Sequence, residues 1–598
     1  MIVHICALSL AVFASTGFAA PLATAPASNP ALHALFEREF RRAQAEFPEY
    51  ATLQGVDTFN DRLHDASLEA VARRKAHGKA VLGELVRFDA KKLSTQDQIS
   101  LAMMTGDLRR EQTLNALYGD LPFGTGFDDG WLRISPGWGP HTLLPLLAKA
   151  TPFRNTRDYE NYLQRLSAIP RLLAQTRTAL EAGIKSGWVP PRVAMLRVPG
   201  QLATFSGTDI TATPLYAPFR QIAAAVAEDD KKRLVDAATK VLAEKVHPAF
   251  AQFRQYLENT YLPACSVELA ASKLPAGMAY YEQMVRMMTT TSLSAGEIHA
   301  TGKGEVSRIR AEMDKVAAST GFKGSFAEFL RSLQTNPRMF HTTAEEMLTH
   351  YRDIAKRADA ELPKLFAELP RLPYGIRPME PYEGDNAEHY TGGALDGSRA
   401  GFFEANTNNL SRRAKYEMEA VLLHETVPGH HLQTARAQEL KGLPSFRRDA
   451  GYVAYGEGWA LYAESLGNEM GMYTDAYSRF GKLSAEMWRA CRLVIDTGLH
   501  AFGWTRDQAI RYLADNAGIS ESSAIAEVDR YILWPGQALG YKIGELKIKA
   551  LRAKARRALG SKFDLRRFHN ALLDDGALPL DLLEVRIDHW IAREAAGK

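Results

Sequence analysis

The chain has 598 residues, 46% of them hydrophobic and 24% charged, a globular balance that excludes the disordered and fibrous classes. Its 73 basic and 69 acidic residues leave a net charge of only +4, so nothing drives it toward phosphate backbones or anionic lipid, and nucleic acid is not an expected partner. The three cysteines, Cys6, Cys265 and Cys491, form no CxxC pair, so any bound metal falls to histidine and carboxylate ligands.

In chain order, residues 1–20 (MIVHICALSLAVFASTGFAA) are a short apolar run ending in small residues. They read as a secretory signal peptide, despite the missing Lys or Arg, and imply a secreted or periplasmic protein. Cys6 lies too early to be a lipoprotein cysteine. Residues 21–30 (PLATAPASNP) form a flexible leader. No later stretch approaches the roughly 18–20 uninterrupted apolar residues of a membrane span, so stable insertion is not expected.

Helical periodicity then dominates, over 31–47, 66–87, 158–186 and 217–260. It continues over 294–317, opened by the capping-box pair Ser294 and Glu297. Two Pro/Gly-rich patches interrupt it, at 121–145 and 369–409. In the first, Gly124–Gly126 and Gly137–Gly139 lack the phosphate-binding pattern and read as turns. In the second, Asp396-Gly397 between short extended segments predicts a β-hairpin. Met284, Met287 and Met288 read as core packing. Beyond 409 the chain returns to helix, with a basic amphipathic tail from Lys542. The predicted fold class is all-α with one small hairpin.

The chemistry concentrates in Tyr416–Leu432, YEMEAVLLHETVPGHHL. His424-Glu425 on an apolar helix is the opening half of an HExxH zinc signature, in which two His at i and i+4 share a metal and the Glu acts as general base. Position 428, where the second His belongs, is Pro. On a regular helix neither His430 nor His431 shares an ion with His424, because i+6 points about 120° away and i+7 lies about 10 Å along. The Pro428-Gly429 step must therefore distort the helix as a local loop-out, Pro428 by breaking the hydrogen bond and Gly429 by permitting unusual backbone angles. His430 is favoured over His431 as the second ligand. Downstream, YGEGWALYAESL places Glu457 and Glu464 seven residues apart on one helix face. Glu457 is the expected third ligand, and Glu464 the carboxylate that orients a ligand histidine. The expected cofactor is Zn²⁺ on His424, His430 and Glu457, with Glu425 as base.

HETVPGHHLQ, EGWALYAESL, RLVIDTGLHAFGW, RYILWPGQALGYKIG, LPAGMAYYEQMVRMMTTT and FHNALLDDGALPL, with the Gly-Ser-Arg hairpin at Arg399, resemble the bacterial family called domain of unknown function 885, over nearly the whole mature chain. The resemblance implies a zinc peptidase of gluzincin-like logic, all-helical and two-lobed around a deep cleft. The lobes expected are 31–375 and a catalytic lobe 376–598. Within the resembling motifs, Tyr541 and His500 are candidate oxyanion donors. Arg530 and Arg399 are candidates to bind a substrate carboxylate, which implies action on peptide ends. His500 has a structural hydrogen bond as its alternative role, and Arg530 an ion pair with Glu527. Two other functions stay open: a metal-dependent hydrolase of a non-peptide amide or ester, and a secreted binding protein with a structural metal.

Overall fold

Helix runs through the computed structural model from Pro30 to Ala595; it describes residues 28–597 apart from Phe127, Thr208, Asp385 and Asn386. The expected signal peptide and residues 21–27 of the leader lie outside the described residues. Helix α1 (Pro30–Glu46) opens where Asn29 Oδ1 accepts from the amides of Ala31 and Leu32. Further along come α2 (Pro140–Ala150), α3 (Thr156–Ser186), α4 (Ala295–Ser319) and α5 (Ala344–Leu365). The capping box before α4 closes both ways, Ser294 taking the Glu297 amide and Glu297 the Ser294 amide. The expected span 217–260 is not continuous. A short turn at Ala217–Arg220 is followed by non-helical chain, and helix resumes at Glu228 and continues through two π turns.

The architecture is all-α, with a single small sheet among the described residues, made of β1 (Tyr374–Pro378), β2 (His389–Thr391) and β3 (Gly401–Ala405) in the order β1-β3-β2. β2 and β3 pair antiparallel as the expected hairpin. Gly397 sits in its connecting turn at φ +79°, its amide bonded to the Ala394 carbonyl at 3.0 Å. β1, parallel to β3, is an addition: the Gly and Pro of its YGIRP sequence depress strand propensity.

Six helices build the site: α6 (Met418–Glu425), α7 (His430–Glu439), α8 (Val453–Leu466), α9 (Ala476–Ala501), α10 (Glu521–Leu533) and α11 (Gly540–Leu559). The expected lobe boundary at 375/376 does not separate cores. One core joins Ile169 and Phe250 to Val494 and Tyr531, a second joins Tyr281 and Tyr351 to Trp459 and Leu539, and a small third gathers Leu32, Phe36 and Val81. The reason is intimate packing across the boundary: α4 lies against α9 so closely that a Cβ on Gly302 would fall 2.7 Å from Leu493 Cβ.

The crossing of α8 and α11 is tighter still. A Cβ on Gly544 would lie 1.8 Å from the Ala454 carbonyl oxygen, and one on Gly458 would lie 2.4 Å from Gly544 Cα. Two bare backbones thus meet, drawing Glu457 of α8 and Tyr541 of α11 to the same cleft wall.

Candidate metal centre and its cleft

The distortion expected between His424 and His430 is a full break into two helices. The Thr426 amide still bonds the Leu422 carbonyl at 2.8 Å, and the Thr426 carbonyl then receives the amides of His431 and Leu432 at 3.0 and 3.3 Å, starting α7. Trp459 of α8 donates its indole N–H to the Pro428 carbonyl at 2.8 Å, which fastens the link to the helix that carries Glu457. Gly429 takes the unusual backbone angles expected of it, φ −78° with ψ −129°, outside the helical and extended regions; a Cβ there would also sit 1.9 Å from the His424 carbonyl oxygen.

The break brings the two imidazoles together, ring centroids 4.8 Å apart and planes 89° to each other. Glu457 Oε2 lies 3.4 Å from His424 Nε2 and 3.3 Å from His430 Nε2. One ligating atom from each of the three residues falls within 4.8 Å of the others. A tetrahedral ion with ligand bonds of 2.0–2.2 Å has edges of roughly 3.3–3.6 Å, so both carboxylate–imidazole spacings fit. Glu457 Oε2 is buried and forms no hydrogen bond of proper geometry with either ring. Burial works against its charge, but His430 and His424 outweigh that and hold the carboxyl well below its usual range. Lone pairs from three residues thus converge on one point, the arrangement a cation requires.

Behind His424, Glu464 Oε1 sits 2.7 Å from Nδ1 and 3.5 Å from Arg489 Nη2. Accepting the Nδ1 proton fixes the tautomer and turns the Nε2 lone pair toward the cluster. His431, the alternative ligand, points away: its ring nitrogens meet Tyr390 Oη and the Leu372 carbonyl, both at 3.0 Å. Burial pushes it down to about 4.

A family model described as "Bacterial protein of unknown function (DUF885)" matches residues 48–587. The chain belongs to the DUF885 family. Among curated proteins, none matches it. Of solved structures, a "putative lipoprotein" from Colwellia psychrerythraea is 28% identical with a TM-score of 0.87, over 94% of this chain and 99% of that one. A "putative lipoprotein of unknown function" from Shewanella oneidensis is 17% identical with a TM-score of 0.63, over 92% and 99%, and shares the fold. A "putative oligoendopeptidase F" from Bacillus anthracis, at 13% identity and a TM-score of 0.25, is too slight a likeness to bear on this chain.

In this DUF885 protein the cluster opens on a cleft of about 640 Å³, lined also by Glu425, Tyr541 and Arg530. Burial pushes the Glu425 carboxyl up to about 8, with Glu457 adding to the rise and His430 opposing it; a cation on the adjacent ligands would draw it back down. The Tyr541 ring lies nearly parallel to that of His424, at 14° and 6.3 Å. Burial and the charge of Glu457 raise its hydroxyl above the ordinary value, so it remains a donor. Arg530 forms the ion pair named as its alternative, with Glu527 at 3.0 Å, and donates to Gln537 at 2.7 Å, while still facing the cleft.

Two candidates do not reach the cleft. His500 is fully buried, accepts the Ala271 amide at 2.9 Å and meets the Tyr531 carbonyl at 3.0 Å; burial pushes it down to about 4. It braces α9 against α10 as a neutral ring. Arg399 donates to the carbonyls of Gly392 and Leu53, at 3.0 and 2.6 Å, so its guanidinium ties the hairpin loop to the N-terminal segment. Cys265 and Cys491 are buried free thiols.

Several cleft residues escape the sequence reading. Glu417, raised to about 7 chiefly by burial, precedes the motif helix by one residue. Arg492 opens the RLVIDTGLHAFGW motif and donates to Tyr531 Oη and Glu527 at 2.9 and 3.0 Å; its motif position was the available signal. Ser135, His141 and Gln201 come from the N-terminal half and carry no local signal.

Proposed function

We propose that this protein is a zinc-dependent hydrolase of amide bonds, a metallopeptidase acting in the bacterial cell envelope or outside the cell. The observation that carries this reading is the pair of spacings, 3.4 and 3.3 Å, from Glu457 to two imidazoles, beside the acid Glu425 in one cleft. His424, His430 and Glu457 are the residues that would hold the ion. Three protein ligands leave a coordination position open, as catalytic sites do and closed structural sites do not.

When bound, zinc supplies Lewis acidity, polarising a carbonyl oxygen and making water acidic near neutral pH. The protein's own groups do the rest. Glu464 keeps the His424 ring oriented through Nδ1. Glu425 accepts the proton of the attacking water and delivers it to the leaving nitrogen. Tyr541 donates its hydroxyl hydrogen to the oxyanion that develops on the substrate. Arg530, with its charge on the cleft wall, takes a substrate carboxylate and favours peptide ends. Export is supported by the relatives described as lipoproteins; among the described residues no helix is long and apolar enough to cross a membrane.

The test is digestion of a peptide library, alongside small amides and esters, read by mass spectrometry with and without a chelator. Cleavage that chelation abolishes and zinc restores is the expected outcome. Peptide cleavage that survives complete metal removal overturns the reading.

A further inference from the structure

The N-terminal half builds the cleft wall that carries Ser135, His141 and Gln201. Ser135 and Trp138 exchange backbone hydrogen bonds at 2.7 and 3.3 Å, closing the turn SPGW. Gln201, from the helix Val198–Ala203, donates its amide N–H to the Pro136 carbonyl at 2.9 Å. Trp534, just beyond α10, packs so near Gly137 that a Cβ there would lie 3.2 Å from its ring. The turn is therefore held from both sides. His141 follows it in the first turn of α2.

Ser135 is 1% exposed and His141 3% exposed. Even so, Ser135 Oγ, both ring nitrogens of His141 and Gln201 Oε1 have no hydrogen-bond partner of proper geometry in the protein. Burial pushes His141 down to about 4, against a smaller opposing pull from Gln201, so the ring is neutral and offers one donor and one acceptor. Isolated buried orphans are rare in native folds, and each calls for a partner. Here four such atoms sit on the residues of one rigid wall, in the same cleft as His424 and Glu425.

We infer that Ser135, His141 and Gln201 form a subsite for a neutral amide of the substrate, a peptide bond flanking the one that is cleaved. A peptide group carries one N–H and one C=O, which the imidazole, the glutamine carbonyl and the serine hydroxyl satisfy together without charge. A charged end group has its counterpart elsewhere, on the wall of Arg492 and Arg530. This inference rests on the peptidase reading and adds to it: the enzyme grips backbone beyond the reacting bond, and a protein half with no metal ligand contributes to affinity.

The test uses the full-length zinc-loaded protein and the sequence it cleaves fastest from a pool of short random peptides. Gln201→Met and Ser135→Ala each raise KM about three- to tenfold, the worth of one hydrogen bond, while kcat stays within about twofold. Ser135→Ala leaves Tm unchanged, because it removes a polar atom that the unliganded protein leaves unpaired, whereas Gln201→Met also loses the bond to the Pro136 carbonyl and lowers Tm slightly. His141→Phe follows the same pattern, and His141→Asn, which keeps a donor and an acceptor, recovers part of the affinity. Replacing the flanking amide of the peptide by an ester, which removes its N–H, raises KM for the wild type and adds little in Gln201→Met, which has lost the carbonyl that accepts from it. A lowered Tm with KM unchanged marks a purely structural cluster and overturns the inference, as does an unchanged KM with Tm intact. If the wild type cleaves no peptide at all, the peptidase reading itself fails; cleavage with KM indifferent to these substitutions sinks the subsite alone.

Discussion

Glu464→Gln isolates how the carboxylate behind His424 sets metal affinity. Glu464 is 1% exposed, and its Oε1 lies 2.7 Å from His424 Nδ1. Glutamine has the same shape, and its carbonyl still accepts the Nδ1 proton, so the ring keeps its orientation. What disappears is the negative charge that makes Nε2 a better donor. Substitution of such a supporting group typically weakens metal binding 10- to 100-fold, or about 1.4–2.8 kcal/mol. Zinc affinity is read by competition with a chromophoric chelator, with the Tm of the metal-free protein as a control that should move little. Glu464→Ala removes orientation as well and should fall further. Wild-type zinc affinity in Glu464→Gln, combined with loss in Glu464→Ala, would show that orientation alone matters. Wild-type affinity in both would refute the argument that His424 is a ligand tuned from behind.

Other outcomes follow from the same geometry. Glu425→Gln should retain zinc by metal analysis while its turnover drops about 10²- to 10⁴-fold; wild-type rate in a metal-replete sample removes Glu425 as the base. Chelation should lower Tm, since an ion bound only by the folded state stabilises it by about 4 kcal/mol at a thousandfold excess over Kd; calorimetry of matched samples checks this. Gly544→Ala forces a Cβ to within 1.8 Å of the Ala454 carbonyl and should cost about 3 kcal/mol or more of stability, as severe overpacking does, read from the denaturation midpoint. Stability should also fall on acidification. Folding holds His500 at about 4 against roughly 6.5 in the unfolded chain, so the unfolded state takes up the proton first. The contribution of the neutral ring is complete above about pH 6.5 and is lost as pH drops toward 4. His500→Gln, which can keep both hydrogen bonds, should show a shallower loss of Tm over that window.

The sequence carries the candidate metal cluster because its parts are local or helix-periodic. His424, Glu425 and the Pro428-Gly429 break are contiguous, and Glu457 and Glu464 share a helix face by their seven-residue spacing. Choosing His430 over His431 depends on which way α7 starts after the break, and that direction is set by contacts such as Trp459 to Pro428. Motif membership alone misleads for polar residues: His500 and Arg399 satisfy backbone groups that turns and helix junctions leave over, a duty as demanding as catalysis. β1 stays hidden because its pairing with β3 is long-range while its composition is turn-like. Ser135, His141 and Gln201 converge only through tertiary packing, so no window of the sequence contains them together.

At Gly458 and Gly544 the helix that carries Glu457 and the helix that carries Tyr541 rest backbone on backbone. Such a joint has no side-chain cushion to deform and no slack for sliding. Widening of the cleft mouth therefore belongs to lining elements away from that seam, the small sheet with His389, Tyr390 and Glu404. Hydrogen exchange should find the fast-opening amides there, and the slowest ones along the glycine seam.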